Sequence, residues 1–271
     1  YFDRKAGKLV PYLLRSNSSG NYRVPKIGKH FLSDQGILWI AGTHDLTQVA
    51  FKNHTYRLNK LENGEAEVRA LCNTPEGYHW TGYANGVVQV TDSKYQTVGY
   101  LAPGGQIVPN QVPFCPYPVY SIFCDTRGRM WIGLDTGIVI YDSKTDTFQP
   151  FHAKTETGEM IQTYVTDMIE DSDGEVWIAT SGEGLYRFSP SDKVRLRVYR
   201  NIPGKINSIS QNIIMTLQQD SKQNIWIGTY SEGLCCFDKQ KNTFVTYKKS
   251  NHPNSLSDNS IQKVFEDRSE E

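Results

Sequence analysis

The sequence has little that would supply chemistry. Its 271 residues include only five cysteines, an odd number, and no two of them stand at the two-residue gap of a metal or redox pair. Cys235 and Cys236 are neighbours whose side chains leave a strand on opposite faces. An extended run over 119–124 would hold Cys124 farther from Cys115 than the roughly 7 Å between Cα atoms that a disulfide spans. Free, packed thiols are expected. None of the six histidines lies at ligand spacing from another histidine or a cysteine, so no metal and no other cofactor is expected. A Gly-x-Ser-x-Gly elbow and a phosphate-binding loop are both missing. Lys and Arg together number 29, as do Asp and Glu, which leaves no net field to draw nucleic acid. No apolar run approaches the roughly 18 residues of a membrane helix, and no membrane segment is expected in this stretch. Helical periodicity is nearly absent as well.

What is present is repetition. All five tryptophans, Trp39, Trp80, Trp131, Trp177 and Trp226, occupy one repeat position, at intervals of 41, 51, 46 and 49 residues. The best copies read DTRGRMWIG at 125–133, DSDGEVWIAT at 171–180 and DSKQNIWIGT at 220–229. Each is followed by a second apolar run: GIVIYD at 137–142, GLYRF at 184–188 and GLCCFD at 233–238. In the unit of Trp177 four strand-like runs fall at 164–170, 176–180, 185–188 and 195–199, separated by turn residues. Four short antiparallel strands repeated every 40–50 residues predict an all-β fold, a β-propeller of four-stranded blades. A β-sandwich is the weaker alternative, since its strands have no reason to carry Trp at one recurring place.

The units order the chain as a partial blade over 1–30, blades centred on the five tryptophans, and a partial blade over 256–271. At the start, the spacing from Phe2 to Tyr12 equals that from Phe237 to Tyr247. At the end, 260–267 reproduces 213–220, so the chain is read as part of a longer array. Gly36, Gly77, Gly128 and Gly174 each stand three residues before a Trp, where a tight turn calls for positive φ. The last unit has Gln223 there with Asn224 next, and Asn tolerates that region best after Gly. Two residues after each Trp the side chain is small: Ala41, Gly82, Gly133, Ala179 and Gly228. Both features suit a strand packed closely on the next blade, and the tryptophans themselves are expected to fill the space between blades.

Following strand direction, the acidic turns collect on one rim, and on the other lie the loops after the Trp strands together with the connectors between blades. This loop rim holds His44, Asp45, Tyr83, Asn85, Asp135, Ser181, Glu183, Tyr230 and Glu232, and it is the expected functional face. The longest connector, 104–118, carries four prolines; it is either a stiff binding lip presenting Phe114, Tyr117 and Tyr120, or a cover over the apolar edge between blades. The run from Asp171 to Gly174 has the opening of a calcium loop, but other copies place Arg127 or Lys222 in it, which favours a turn. Glu183 and Glu232 are the one carboxylate pair that could act across a glycosidic bond, and a whole blade between them favours separate loop charges.

The pattern Asp-x-x-Gly-x-x-Trp-Ile-Gly, then Gly-Leu-x-x-Phe, then a Thr-Phe-x-x-Tyr strand as at 243–247, then an Asn-rich connector as at 251–259, resembles the two-component regulator propeller repeat. The likeness covers nearly the whole chain, and is weaker at Trp39 and Trp80, where Thr74 takes the place of the turn Asp. The resemblance implies the periplasmic sensor region of a Bacteroides-type hybrid histidine kinase and response regulator. It further implies a seven-bladed parent propeller, an inner-membrane anchor, a possible homodimer, and glycan sensing that switches polysaccharide-utilisation genes. Kinase activity would reside in domains outside these residues, leaving this stretch without a catalytic residue. A sugar needs aromatic faces and planar polar groups together. The residues expected to supply them are Arg69, Tyr120 and Tyr164 near the starts of first strands, with Tyr83, Asn85, Tyr230, Glu183 and Glu232 on neighbouring loops. A propeller-type polysaccharide lyase or glycoside hydrolase, or a protein-interaction scaffold, are the alternatives.

Overall fold

The computed structural model describes residues 66–142, 144–145, 147–191, 196–252, 255–264 and 266, and, within 1–65, the backbone of eight short strands. Those eight are β1 (Phe2–Asp3), β2 (Lys8–Leu9), β3 (Leu14–Ser16), β4 (Gly20–Tyr22), β5 (His30–Leu32), β6 (Ile37–Ala41), β7 (Asp45–Ala50) and β8 (Thr55–Lys60). The next sheet holds β9 (Val68–Asn73), β10 (His79–Tyr83), β11 (Val88–Thr91), β12 (Thr97–Leu101) and β13 (Ile107–Val108). Then come β14 (Ser121–Cys124), β15 (Arg129–Gly133), β16 (Ile138–Asp142) and β17 (Thr147–Pro150). The unit of Trp177 contains β18 (Val165–Glu170), β19 (Val176–Thr180), β20 (Leu185–Phe188) and β21 (Leu196–Tyr199). That of Trp226 contains β22 (Ile214–Gln219), β23 (Ile225–Thr229), β24 (Leu234–Asp238) and β25 (Thr243–Tyr247).

Each sheet is an antiparallel meander in chain order, β5 to β8, β9 to β13, β14 to β17, β18 to β21 and β22 to β25, with one Trp on the second strand of each. The first strands β9, β14, β18 and β22 lie side by side in succession, which is the blade arrangement of a β-propeller. At the start of the chain, Phe2 pairs with Leu9 as Phe237 pairs with Phe244, seven residues apart in both cases, so β1 and β2 repeat the outer pair of a blade. Among the described residues no helix is long and apolar enough to cross a membrane.

Blade contacts explain the recurring residues. Trp80 meets Tyr141 at 5.7 Å between ring centres, Trp131 meets Phe188 at 5.9 Å and Trp177 meets Phe237 at 5.0 Å, so each indole fits against the third strand of the following blade. Trp131 and Trp177 are fully buried there, within clusters that join two adjacent sheets. The side chain of Trp39 lies outside the described residues. A Cβ on Gly82 would stand 2.6 Å from Val119, one on Gly133 2.9 Å from Val165, and one on Gly228 2.7 Å from Ile261. These neighbours belong to the segment that follows each blade, and the missing side chains are what let the first strands approach.

The acidic turn holds more than a bend. Asp125, Asp171 and Asp220 each stand six residues before a Trp, and each accepts the indole Nε1–H on Oδ2, at 2.9, 2.7 and 2.8 Å. Their other oxygen, Oδ1, accepts the amides two and four residues on, as from Asp173 at 2.9 Å and Glu175 at 3.1 Å. One carboxylate thus closes the hairpin and fixes the indole that wedges the blades. Gly77, Gly128 and Gly174 have φ of +88°, +81° and +77°, as their position in the turn requires. In the last unit Gln223 itself takes φ +67°, and not Asn224, because Asn224 is the residue whose amide and side chain both bond Asp220. Gly36 is outside the described residues.

Neighbouring turns are also latched. Thr126 donates its amide and hydroxyl to Glu170, at 2.6 and 3.0 Å, and Ser221 does the same to Glu266, at 2.7 Å each. Between them, Ser172 donates its amide to Gln219 and accepts from that side chain in return. Residues 259–264 therefore sit where the first strand of a further blade would: Ile261 donates to the Thr229 carbonyl as Val165 does to that of Leu134.

Candidate ligand site at the channel mouth

The starts of the first strands converge on a cavity of about 660 Å³ lined by Glu67, Arg69, Tyr120, Tyr164, Asp167 and Tyr230, with Lys263 and Ser181 at its edge. Local backbone bonds set this arrangement. Tyr120 donates its amide to the Gly133 carbonyl, and Ser181 and Tyr230, each four residues after a Trp, donate to the carbonyls of Tyr164 and Ile213. Loop and strand start are thereby tied together in successive blades, and their side chains face one opening. Register shifts after Val165 and after Ile214 let these strands begin wide of the ladder.

Within the mouth the groups form a stack. The Arg69 guanidinium lies 5.3 Å from the Tyr120 ring centre, and Tyr120 stacks on Tyr164 at 5.1 Å with 21° between planes. Burial raises the Tyr120 hydroxyl above its ordinary range, with the Arg69 charge opposing. Tyr164 and Tyr230 remain about half exposed and offer open ring faces. Arg69 pairs with Glu67 at 3.1 Å and Lys263 with Asp167 at 3.2 Å, while Asp167 also accepts the Leu217 amide from the next blade. Planar apolar faces beside fixed donors and acceptors are what a sugar ring with its hydroxyls engages.

Four of the residues singled out from sequence, Arg69, Tyr120, Tyr164 and Tyr230, meet in this cavity. The other four do not. Tyr83 ends β10 after a register shift and is fully buried, its hydroxyl donating to Gln89 at 2.7 Å inside its own sheet. Asn85 accepts the Val87 amide at 3.2 Å in the adjoining turn. Glu183 accepts from the Tyr186 hydroxyl at 3.0 Å, and Glu232 is paired with Lys248, so each carboxylate is held within its own blade. The residues that sequence reasoning missed are Glu67, Asp167 and Lys263. Their signal was available, for they stand near the same strand-start positions as Arg69 and Tyr164.

Two other candidates resolve as structure. Asp171, Asp173 and Glu175 bring carboxylate oxygens within 4.8 Å of one another, but Lys239 Nζ stands 2.9 Å from Asp171 and 2.7 Å from Asp173, and Glu175 pairs with Arg187. A lysine fills the place a cation would take. In the proline-rich connector Phe114 is buried against Phe148 at 4.9 Å, and β13 adds a fifth strand to its sheet, so this segment covers a blade edge while Tyr120 alone reaches the mouth. The five thiols are unpaired, and burial pushes that of Cys72 up to about 12, which keeps it protonated.

A propeller whose repeats carry a tethered Trp and whose channel mouth is aromatic defines the class. Three of its repeats, 113–136, 159–182 and 208–231, match the family described as two component regulator propeller. These three segments, 72 of the 271 residues, are similar to that family's repeat. Over 72 residues the chain is 33% identical to histidine kinase P4 of Formosa agariphila, a match covering 25% of this chain and 5% of that protein. The extracellular domain of a hybrid two-component system from B. thetaiotaomicron superposes with a TM-score of 0.69 at 18% identity, over 96% of this chain and 34% of that one. A streptogramin B lyase superposes at 0.61 with 12% identity, over 86% and 73%. The chain spans about a third of the hybrid-system domain it resembles.

Proposed function

We propose that this chain is the ligand-sensing propeller of an extracytoplasmic receptor in a hybrid two-component system, and that it binds an oligosaccharide at the channel mouth. The observation that carries the reading is the Arg69, Tyr120 and Tyr164 stack opening beside Tyr230 in one cavity. The repeats and the histidine kinase relative support the signalling half of the proposal. In this reading the propeller catalyses nothing. The parent, a seven-bladed propeller anchored in the inner membrane with this part in the periplasm, acts as a dimer. Occupancy shifts its population between kinase states and so the expression of polysaccharide-utilisation genes. The mouth suits such a switch because its residues come from four consecutive blades and from the segment that follows them, and a ligand bridging them favours one relative setting of those blades.

Calorimetric titration of the folded chain with a panel of oligosaccharides tests the proposal. Binding that Tyr164→Ala and Tyr230→Ala each weaken about tenfold or more, with urea stability unchanged, supports it. Silence across the panel contradicts it. Turnover of a polysaccharide that Glu183→Gln or Glu232→Gln abolishes would instead make the chain a lyase or hydrolase, and capture of a protein partner through the loop rim without any sugar response would make it a scaffold.

A further inference from the structure

The polar latch that joins neighbouring turns is missing between the sheets of Trp80 and Trp131. In the later sheets the residue after the turn Asp, which is Thr126, Ser172 or Ser221, donates to Glu170, Gln219 or Glu266 of the following segment. In the sheet of Trp80 that donor place is taken by Pro75, which has neither an amide N–H nor a hydroxyl. The acceptor place has changed too. Glu170 is the last residue of β18, and the last residue of β14 is Cys124.

Opposite Cys124 is a second thiol. Cys72 lies on β9, which runs beside β14. Alternation puts Ala70 and Cys72 on one face of β9 and Ile122 and Cys124 on one face of β14, and all four pack into the same core between the two sheets. The Cys124 amide is aimed at the Cys72 sulfur. Each thiol donates only weakly, to the carbonyl of the residue after it, at 3.5 Å for Cys72 and 3.7 Å for Cys124, so neither is held away from the other. Cys115 gives its thiol to the Tyr117 carbonyl at 3.1 Å, and Cys235 and Cys236 belong to the sheet of Trp226.

We propose that Cys72 and Cys124 are a redox site, joined by a disulfide that staples the sheets of Trp80 and Trp131 where the polar latch is absent. The oxidant is an external disulfide, RSSR. One cysteine thiolate attacks it, releasing RSH and leaving a mixed disulfide on the protein. The other thiol then attacks the protein sulfur of that bond, closing the pair and releasing the second RSH. Two electrons pass to the oxidant, and the two thiol protons leave on the released RSH. Burial pushes Cys72 up to about 12 and Cys124 up to about 11, so few thiolates form once the core has closed, and the bond is made as the chain folds. β9 also carries Arg69, and Tyr120 immediately precedes β14, so the staple fixes the two strands that set this cation over this ring.

The chain would be refolded with a mixture of oxidised and reduced glutathione, or with a reductant alone, then alkylated in denaturant and weighed by mass spectrometry. After oxidative refolding, two of the five thiols should escape alkylation. Digestion with trypsin and chymotrypsin should release a linked pair of peptides containing Cys72 and Cys124. The urea midpoint of the oxidised chain should lie above that of the reduced one. Cys72→Ala and Cys124→Ala should each remove the linked pair and the difference in midpoint, and Cys115→Ala should remove neither. Where an alanine variant fails to fold, the peptide map of the unsubstituted chain decides. Five alkylated thiols on an oxidatively refolded chain with native circular dichroism would overturn the proposal, as would a linkage through Cys115 in place of Cys72.

Discussion

Replacing Asp171 by alanine should be among the most damaging single substitutions in the chain. The carboxylate is completely buried and accepts four hydrogen bonds: from the amides of Asp173 and Glu175, from Trp177 Nε1 at 2.7 Å, and from Lys239 at 2.9 Å. Alanine strands the indole N–H of a fully buried Trp177, a cost of about 1–3 kcal/mol, and the loss of charge-assisted bonds to the turn adds a comparable amount. The sum, about 3–5 kcal/mol, is that of breaking a buried ionic network by removing one member. Asp171→Asn should lose about half as much, because the amide oxygen still serves the turn while its NH2 confronts two donors. Asp173→Ala removes a half-exposed partner of the same lysine, and should cost under about 0.5 kcal/mol. Urea unfolding followed by far-ultraviolet circular dichroism measures all three. A loss below about 1 kcal/mol for Asp171→Ala, or one equal to that of Asp173→Ala, would refute the tether as the reason for the repeat.

Further outcomes follow from the same geometry. Thr74 stands where other blades have the tethering Asp and bonds only the Tyr78 amide with its hydroxyl, so Thr74→Asp, by giving Trp80 an acceptor, should stabilise by about 1 kcal/mol in urea unfolding. Gly133→Val places a side chain against Ser121 of its own sheet and Val165 of the next blade, and should cost about 2–3 kcal/mol by the same measurement. Acid should act through the turns. Burial raises Asp171 and Asp220, but hydrogen bonds from Trp177 and Lys239, and from Asn224 and Trp226, outweigh it and hold both below the usual carboxylate range. Their contribution is present above the unfolded value of about 3.9 and is lost as pH falls through the folded values, so the urea midpoint should drop below about pH 4, and drop less in Asp171→Asn.

Much of this fold was readable because packing between blades repeats, and repetition leaves marks at fixed intervals. The indoles meet the third strand of the following blade, the turn glycines close the hairpin before each Trp, and the small residues two places after it let successive first strands approach. Gly82 and Gly133 each face a valine of the next blade. What the Asp does was less legible, although its constant six-residue distance from Trp131, Trp177 and Trp226 encodes the bond. The added strand β13 escaped notice because two residues between prolines and glycines carry no period. The mouth was half legible. Position along the repeat placed Arg69, Tyr120, Tyr164 and Tyr230 on one rim, where they line one cavity, but which way a loop side chain turns depends on local ladder slips. Such a slip sends Tyr83 inward to Gln89. The ion pairs that neutralise Arg69 and Lys263 join residues two apart in the first case and 96 apart in the second. Only the packing of successive blades brings Asp167 to Lys263.

The most direct measurement is a crystal structure of the chain with the oligosaccharide it binds most tightly. The account predicts a sugar ring against Tyr164 or Tyr230, in the cavity that Arg69 and Tyr120 also line. A sugar bound on another face, with the Tyr120 and Tyr164 stack bare, would contradict it.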